Sequence, residues 1–220
     1  SVAWGAKIFG CPCVIYLHKH VSKGRESEIA KYGAKIERIA GNYDDSVRMA
    51  AIDAKEFNRL IVSDTSYEGY MEIPKDVALG YTVMFEELLT QLDGDIPTHI
   101  IIQGGVGGLA SAACAYAWQK WQHKRPIFII VEPENANCLQ QSAINGKPSI
   151  VTGELETLMA GLACGEVSTL AWDILAVGTD YFTTINEETI PETMKLLANY
   201  NIEAGESAVP GLAALITACS

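Results

Sequence analysis

Along the chain, short unbroken apolar runs alternate with longer stretches in which apolar residues recur every three or four positions. The runs at 13–17, 34–39 and 60–63 read as strands, and the amphipathic stretches between them as helices. A helical tail over 2–9 is broken by Gly10 and Pro12. One helix covers 23–32, with Ser22 at its N-cap and Gly33 just past its end. The next is capped by Asp44 and repeats Val47, Ala51, Ala54 and Phe57 on one face. Pro74 starts a helix to about 92, with Tyr81, Phe85, Leu88 and Leu92 aligned. A strand at 99–103 runs into a glycine-rich turn and a small-residue helix at 109–121. A basic turn at 123–126, a strand at 127–131, a helical stretch at 134–142 and a loop with a short strand at 146–156 follow. Apolar segments at 172–177 and 180–185 precede a helix that Pro191 starts and that ends near 199; a last helix follows the polar turn at 205–211. Alternation at this pitch predicts βαβ units on a parallel sheet, an α/β protein of three-layer units.

Composition narrows the function classes. The chain has 220 residues, 49% of them hydrophobic, enough for a sizeable core. Its net charge of −11, with no basic stripe, argues against a nucleic-acid partner. No apolar run is long enough to span a bilayer, and the first residues lack the pattern of a secretory signal, so no membrane is expected and the cytoplasm is the expected compartment. The six cysteines are scattered without a CxxC; Cys11 and Cys13 share a strand face, and free thiols are expected throughout. His18 and His20 have no companions that would complete a metal set. The chain opens without Met and stops inside an apolar helical run, so we expect a piece of a longer protein, cut at both ends.

The densest chemical signal is the strand-to-helix turn with Gly104, Gly105, Val106, Gly107 and Gly108. Glycines there let the backbone approach a ligand and aim several N–H groups at it, and the helix behind adds the positive end of its dipole. That is a cradle for an anion, above all a phosphate. Two owners of the phosphate stand side by side. Gly105 to Ala110 fits G-x-G-x-x-A, with Glu132 at the end of the next strand as a ribose acceptor: an NAD-binding oxidoreductase. The other owner is a single-phosphate cofactor such as pyridoxal phosphate. Asp64 opens a polar, aromatic loop at a strand end, where ligands of α/β sheets gather, and the turn at 205–211 offers a second ligand contact.

Five stretches recur in one order: Asp64-Thr-Ser-Tyr-Glu-Gly-Tyr, Gln103-Gly-Gly-Val-Gly-Gly, Ile130-Val-Glu-Pro, Met159-Ala-Gly-Leu-Ala-Cys-Gly-Glu and Gly205-Glu-Ser-Ala-Val. In these the chain resembles the diaminopropionate ammonia-lyases, pyridoxal-phosphate enzymes of fold type II in the tryptophan-synthase-β superfamily. The glycine loop marks the superfamily; the stretches at 64–70 and 159–166 narrow it to the lyase. The resemblance implies a partial small, cofactor-covering domain over 1–65 and a partial large domain over 66–220. It implies that 104–108 hold the cofactor phosphate, that Asp64 positions or deprotonates the substrate, and that Glu206 lies near the pyridine ring. The reaction implied is α,β-elimination of 2,3-diaminopropionate, a small amino acid, to pyruvate and ammonia, in a homodimer. The family's cofactor-anchoring lysine and Asn-His-Gly loop would fall upstream of residue 1, where Val2, Ala3 and Trp4 match the following helix, and its pyridine-nitrogen partner beyond residue 220. No lysine present here has the required context. An inactive remnant lacking that lysine is therefore a further alternative.

Overall fold

The structure, a computed structural model, describes residues 1–219; the last position of the predicted C-terminal apolar run, Ser220, lies outside the described residues. The chain divides into two compact units, Ser1–Val62 and Ser63–Ser220.

In the first unit, β1 (Val14–His18) and β2 (Lys35–Ile39) pair in parallel, Val14 opposite Lys35 and His18 opposite Ile39. Helices α1 (Val2–Ile8), α2 (Lys23–Ala30) and α3 (Tyr43–Glu56) complete it. Ser22 caps α2 as its type predicts, its hydroxyl accepting from the Arg25 N–H. The cap of α3 is Asn42 rather than Asp44: Asn42 accepts from the Asp45 N–H while Asp45 accepts from the Asn42 N–H, a reciprocal box that Asp44, already inside the helix, cannot form. Residues 60–63 are not a strand. Leu60 is 79% exposed and the segment joins neither sheet, so apolar content alone does not make a ladder. Cys11 and Cys13 precede β1 instead of sharing a strand face.

The second unit is built on a parallel sheet in the order β3 (His99–Gln103), β4 (Ile127–Pro133), β5 (Tyr181–Ile185). His99 lies opposite Ile127, and Ile129 opposite Tyr181. Side chains alternate across a strand. Ile102, Phe128 and Ile130 point into one core with Ala110, Ala113 and Cys114 of α5 (Gly108–Trp121), Leu139 of α6 (Cys138–Asn145) and Leu175 of α7 (Thr169–Gly178). Val131 and Ile185 point the other way, into a core with Ile190 of α8 (Thr189–Ala198) and Ala213 of α9 (Pro210–Ala218). The sheet is thus the middle of three layers. A further helix, α4 (Glu72–Gln91), packs on α5. The segment at 172–177 belongs to α7, and the helix expected over 134–142 starts only at Cys138. No strand forms within 146–156. Small residues let α9 cross the sheet closely: a β-carbon on Gly211 would lie 2.5 Å from the Ile101 carbonyl oxygen. The turn at 205–211 is therefore in part a packing device. Among the described residues, no helix is long and apolar enough to cross a membrane.

Candidate active site

The site is built outward from the turn between β3 and α5. The Gly104 N–H donates to the Val131 carbonyl at 2.9 Å, which carries the sheet one residue past β3. Gly107 is the N-cap of α5 at φ +98°, a left-handed conformation that favours glycine, and no side chain caps that helix. The first N–H groups of a helix lack intrahelical acceptors, so this end is disposed to receive an anion. Side chains are excluded by neighbours as well as by backbone. A β-carbon on Gly104 would lie 2.6 Å from Leu139 Cδ1 and 2.9 Å from Ile130 Cγ2, both residues fully buried.

Two remote segments close on Gly105 and each other. A β-carbon on Gly105 would meet Cys164 Sγ at 3.3 Å and the Gly161 carbonyl oxygen at 3.4 Å. Gly161 belongs to a single 3₁₀ turn, Ala160–Leu162. Its N–H donates to Ser207 Oγ at 2.9 Å, which ties the 205–209 turn to the 159–166 stretch. Glu206, half-buried, sits beside Ser207 on that turn.

Asp64 lies on the other flank. Its Oδ2 would be 2.8 Å from a β-carbon on Gly108, at the first turn of α5. The Tyr81 hydroxyl of α4 hydrogen-bonds its carboxylate. Burial raises the Asp64 pKa above the ordinary carboxylate value, against the opposing pull of hydrogen bonds from its own N–H, Thr65 and Tyr81. Asp64, Tyr81, Gly108, Ser111 and Ser168 line a small cavity behind the turn. Ser66 anchors the loop: its N–H donates to Ser168 Oγ at 2.9 Å, and its hydroxyl accepts from the Leu170 N–H at 2.7 Å, capping α7 from a distance. The Ser168 N–H in turn donates to the Val106 carbonyl at 2.9 Å. The Asp64 loop is thereby fastened to the glycine turn itself.

Four of the five sequence stretches meet here: 64–66, 104–108, 159–166 and 205–209. The profile of the family described as pyridoxal-phosphate dependent enzymes matches residues 1–220. The chain belongs to this family. Among its relatives, the diaminopropionate ammonia-lyase of Salmonella typhimurium is 38% identical over 203 residues, covering 90% of this chain and 50% of that protein. The crystal structure of diaminopropionate ammonia lyase from Escherichia coli in complex with D-serine superposes with a TM-score of 0.88 at 34% identity, over 97% of this chain and 55% of that one. A threonine deaminase of known structure shares the fold, with a TM-score of 0.84 at 20% identity over 98% of this chain and 68% of that one. The chain spans about half the length of the curated relatives it matches.

Membership in the pyridoxal-phosphate family agrees with the fifth stretch, which removes the dinucleotide reading. Glu132 is fully buried, and both its oxygens are taken: Oε1 accepts from the Leu139 N–H at 2.8 Å and Oε2 from the Gln140 N–H at 2.7 Å. With its side chain wholly buried and turned to the first turn of α6, it is out of reach of a ribose and is not the ribose acceptor. The glycine turn fits a single phosphate on its own features: an uncapped helix end and a first turn that is pressed by neighbours rather than filled by side chains. Sequence reasoning missed Tyr81, Ser66, Ser168 and Ser207 as parts of the site. Tyr81 had a signal, since it leads the apolar stripe of α4 with a hydroxyl that a buried face must satisfy.

Proposed function

We propose that the protein is a pyridoxal-phosphate-dependent diaminopropionate ammonia-lyase, carrying out α,β-elimination of 2,3-diaminopropionate to pyruvate and ammonia. The observation that carries this is the meeting of the Asp64 loop, the 159–166 stretch and the 205–209 turn on one glycine turn. In this reading the stretch Gly104, Gly105, Val106, Gly107 and Gly108 holds the cofactor phosphate through the N–H groups from Gly105 onward, the Gly104 N–H being bonded to the Val131 carbonyl and anchoring the turn to the sheet, and Glu206 lies near the pyridine ring. Bound there, pyridoxal phosphate supplies an electron sink for the charge that develops on the substrate Cα. Asp64 holds a proton at its carboxylate or takes one from the substrate; a buried carboxylate with a raised pKa is a stronger base than a solvated one. Tyr81 orients that carboxylate. The Ser66–Ser168 link keeps it at a fixed distance from the phosphate, and the buried floor of the turn excludes water from behind.

The same reading makes residues 1–65 most of a small, cofactor-covering domain and 66–220 part of the large one, in a homodimer acting in the cytoplasm. The test is the full-length gene product. It should be yellow, lose the colour with hydroxylamine, and release pyruvate and ammonia from 2,3-diaminopropionate. A colourless protein that leaves this substrate untouched would overturn the proposal.

A further inference from the structure

Glu132 is the most deeply buried acidic group described, and the reaction gives it no task. Its partners explain why it is there. The nominal N-cap of α6, Asn137, makes no capping hydrogen bond of its own. Glu132, reaching from the end of β4, takes that place and accepts from the N–H groups of Leu139 and Gln140. The first turn of α6 is thus pinned to the strand by two bonds at 2.8 and 2.7 Å.

That turn is also the floor of the phosphate cradle. Leu139, whose N–H is held by Glu132, places Cδ1 2.6 Å from where a Gly104 β-carbon would stand and Cδ2 3.3 Å from the same point on Gly107. One side chain therefore underlies both ends of the turn. Next to it, Cys138 Sγ lies 3.5 Å from the Gly105 carbonyl and within hydrogen-bond reach of Glu132, so its single S–H is shared between the two acceptors. Glu132 thus reaches the 104–107 stretch through Leu139 and through Cys138, and its own Cγ would lie 3.6 Å from a β-carbon on Gly104.

We infer that Glu132 is a positioning residue for the phosphate: by holding Leu139 and Cys138, it sets the height and tilt of the Gly104–Gly107 backbone, whose N–H groups from Gly105 onward face the anion. The inference rests on the proposed reading of that turn as the phosphate site. Above about pH 8, where Glu132 is ionised and both its oxygens accept, replacing it by Gln leaves one N–H facing another donor, so the first turn of α6 must shift and Leu139 with it. A merely structural residue would lower stability without changing which ligand is preferred.

The experiment uses the full-length protein, stripped of cofactor, titrated above the Glu132 pKa of about 8 with pyridoxal phosphate and with pyridoxal, which lacks the phosphate. The measured quantity is the ratio of the two dissociation constants. In the parent protein, pyridoxal phosphate should bind far more tightly. In Glu132→Gln the phosphate ester should weaken by about tenfold, the value of one hydrogen bond to a charged group, with pyridoxal unchanged. If Glu132→Gln is insoluble, Cys138→Ala reports the same ratio with a smaller shift in the same direction. An unchanged ratio in a folded variant, whatever its melting temperature, overturns the positioning role alone. A parent protein that does not discriminate the two ligands overturns the phosphate reading, and this inference with it.

Discussion

Asp64 and Gly108 touch so closely that a methyl group on the glycine would stand 2.8 Å from the Asp64 carboxylate oxygen and 3.2 Å from its β-carbon. The contact couples a candidate proton carrier to the first turn of the helix that starts at the glycine turn. Gly108→Ala should therefore push Asp64 off its position while leaving the sheet intact. Under the proposed function, kcat/KM of the full-length protein for 2,3-diaminopropionate should fall by about a hundredfold, the order of loss from an ångström-scale misplacement. Steady-state kinetics measure it; an undiminished rate would separate Asp64 from the chemistry.

The serine link should behave as one unit. Ser66→Ala removes the cap on α7 and two hydroxyl contacts, to Ser168 and Thr169. The expected cost is roughly 1–2 kcal/mol. Ser168→Ala removes an overlapping set of bonds, so the double variant should cost clearly less than the sum of the two singles. Urea titrations of the three variants give the coupling, and simple additivity would show that the serines act independently.

Glu132 gives the protein a pH dependence of definite sign. Burial pushes its pKa from 4.5 to about 8, although the Leu139 and Gln140 N–H groups and Cys138 pull the other way. The folded state therefore keeps a proton that the unfolded chain releases near pH 4.5. The contribution is complete below that pH and is lost as pH rises toward about 8. Melting temperature should decline across this window, and Glu132→Gln should flatten the decline. Parallel curves for the two proteins would refute the assignment.

At the opposite end of the strands the sign reverses. Asp180 accepts two bonds from Arg125, at 2.6 and 2.9 Å, and one from the Phe128 N–H at 2.7 Å. The Arg125 guanidinium holds its pKa below the ordinary value of 3.8. The stabilisation is present above that value and is lost as pH falls below it. Asp180→Asn should cost roughly 1–3 kcal/mol at neutral pH. Denaturant titrations at pH 7 and in strong acid should show this difference shrinking with acidification, and activity should change little.

What could be read from the residues was what their near neighbours decide. The strand at 99–103, its glycines and the helix behind them lie together in sequence, and the turn's conformation follows from local sterics. Residues 60–63 have the composition of a strand but pair with no described strand, and pairing is not a local property. The choice between Asn42 and Asp44 as a cap turned on which residue faced a reciprocating Asp45, two similar side chains two positions apart. In the site, Asp64 and the glycines stood out by type. Ser66 and Ser207 were inside the same motifs yet unremarkable, because their partners, Ser168 and Gly161, are brought by the tertiary fold. Glu132 stood out for the wrong reason: a carboxylate at a strand end reads as a ligand contact until its burial and its backbone donors are seen.

The Ser66–Ser168 bond spans 102 positions of sequence. A ribosome adding about 5–20 residues per second needs roughly 5–20 s to cover that distance. Throughout that interval the Asp64 loop lacks its anchor at Ser168, and the glycine turn, once made, still lacks the 205–209 segment that ties down the residues closing on it. The order of synthesis thus delays assembly of a cofactor pocket until the second half of the chain has emerged, and early-arriving cofactor would find only half a cradle.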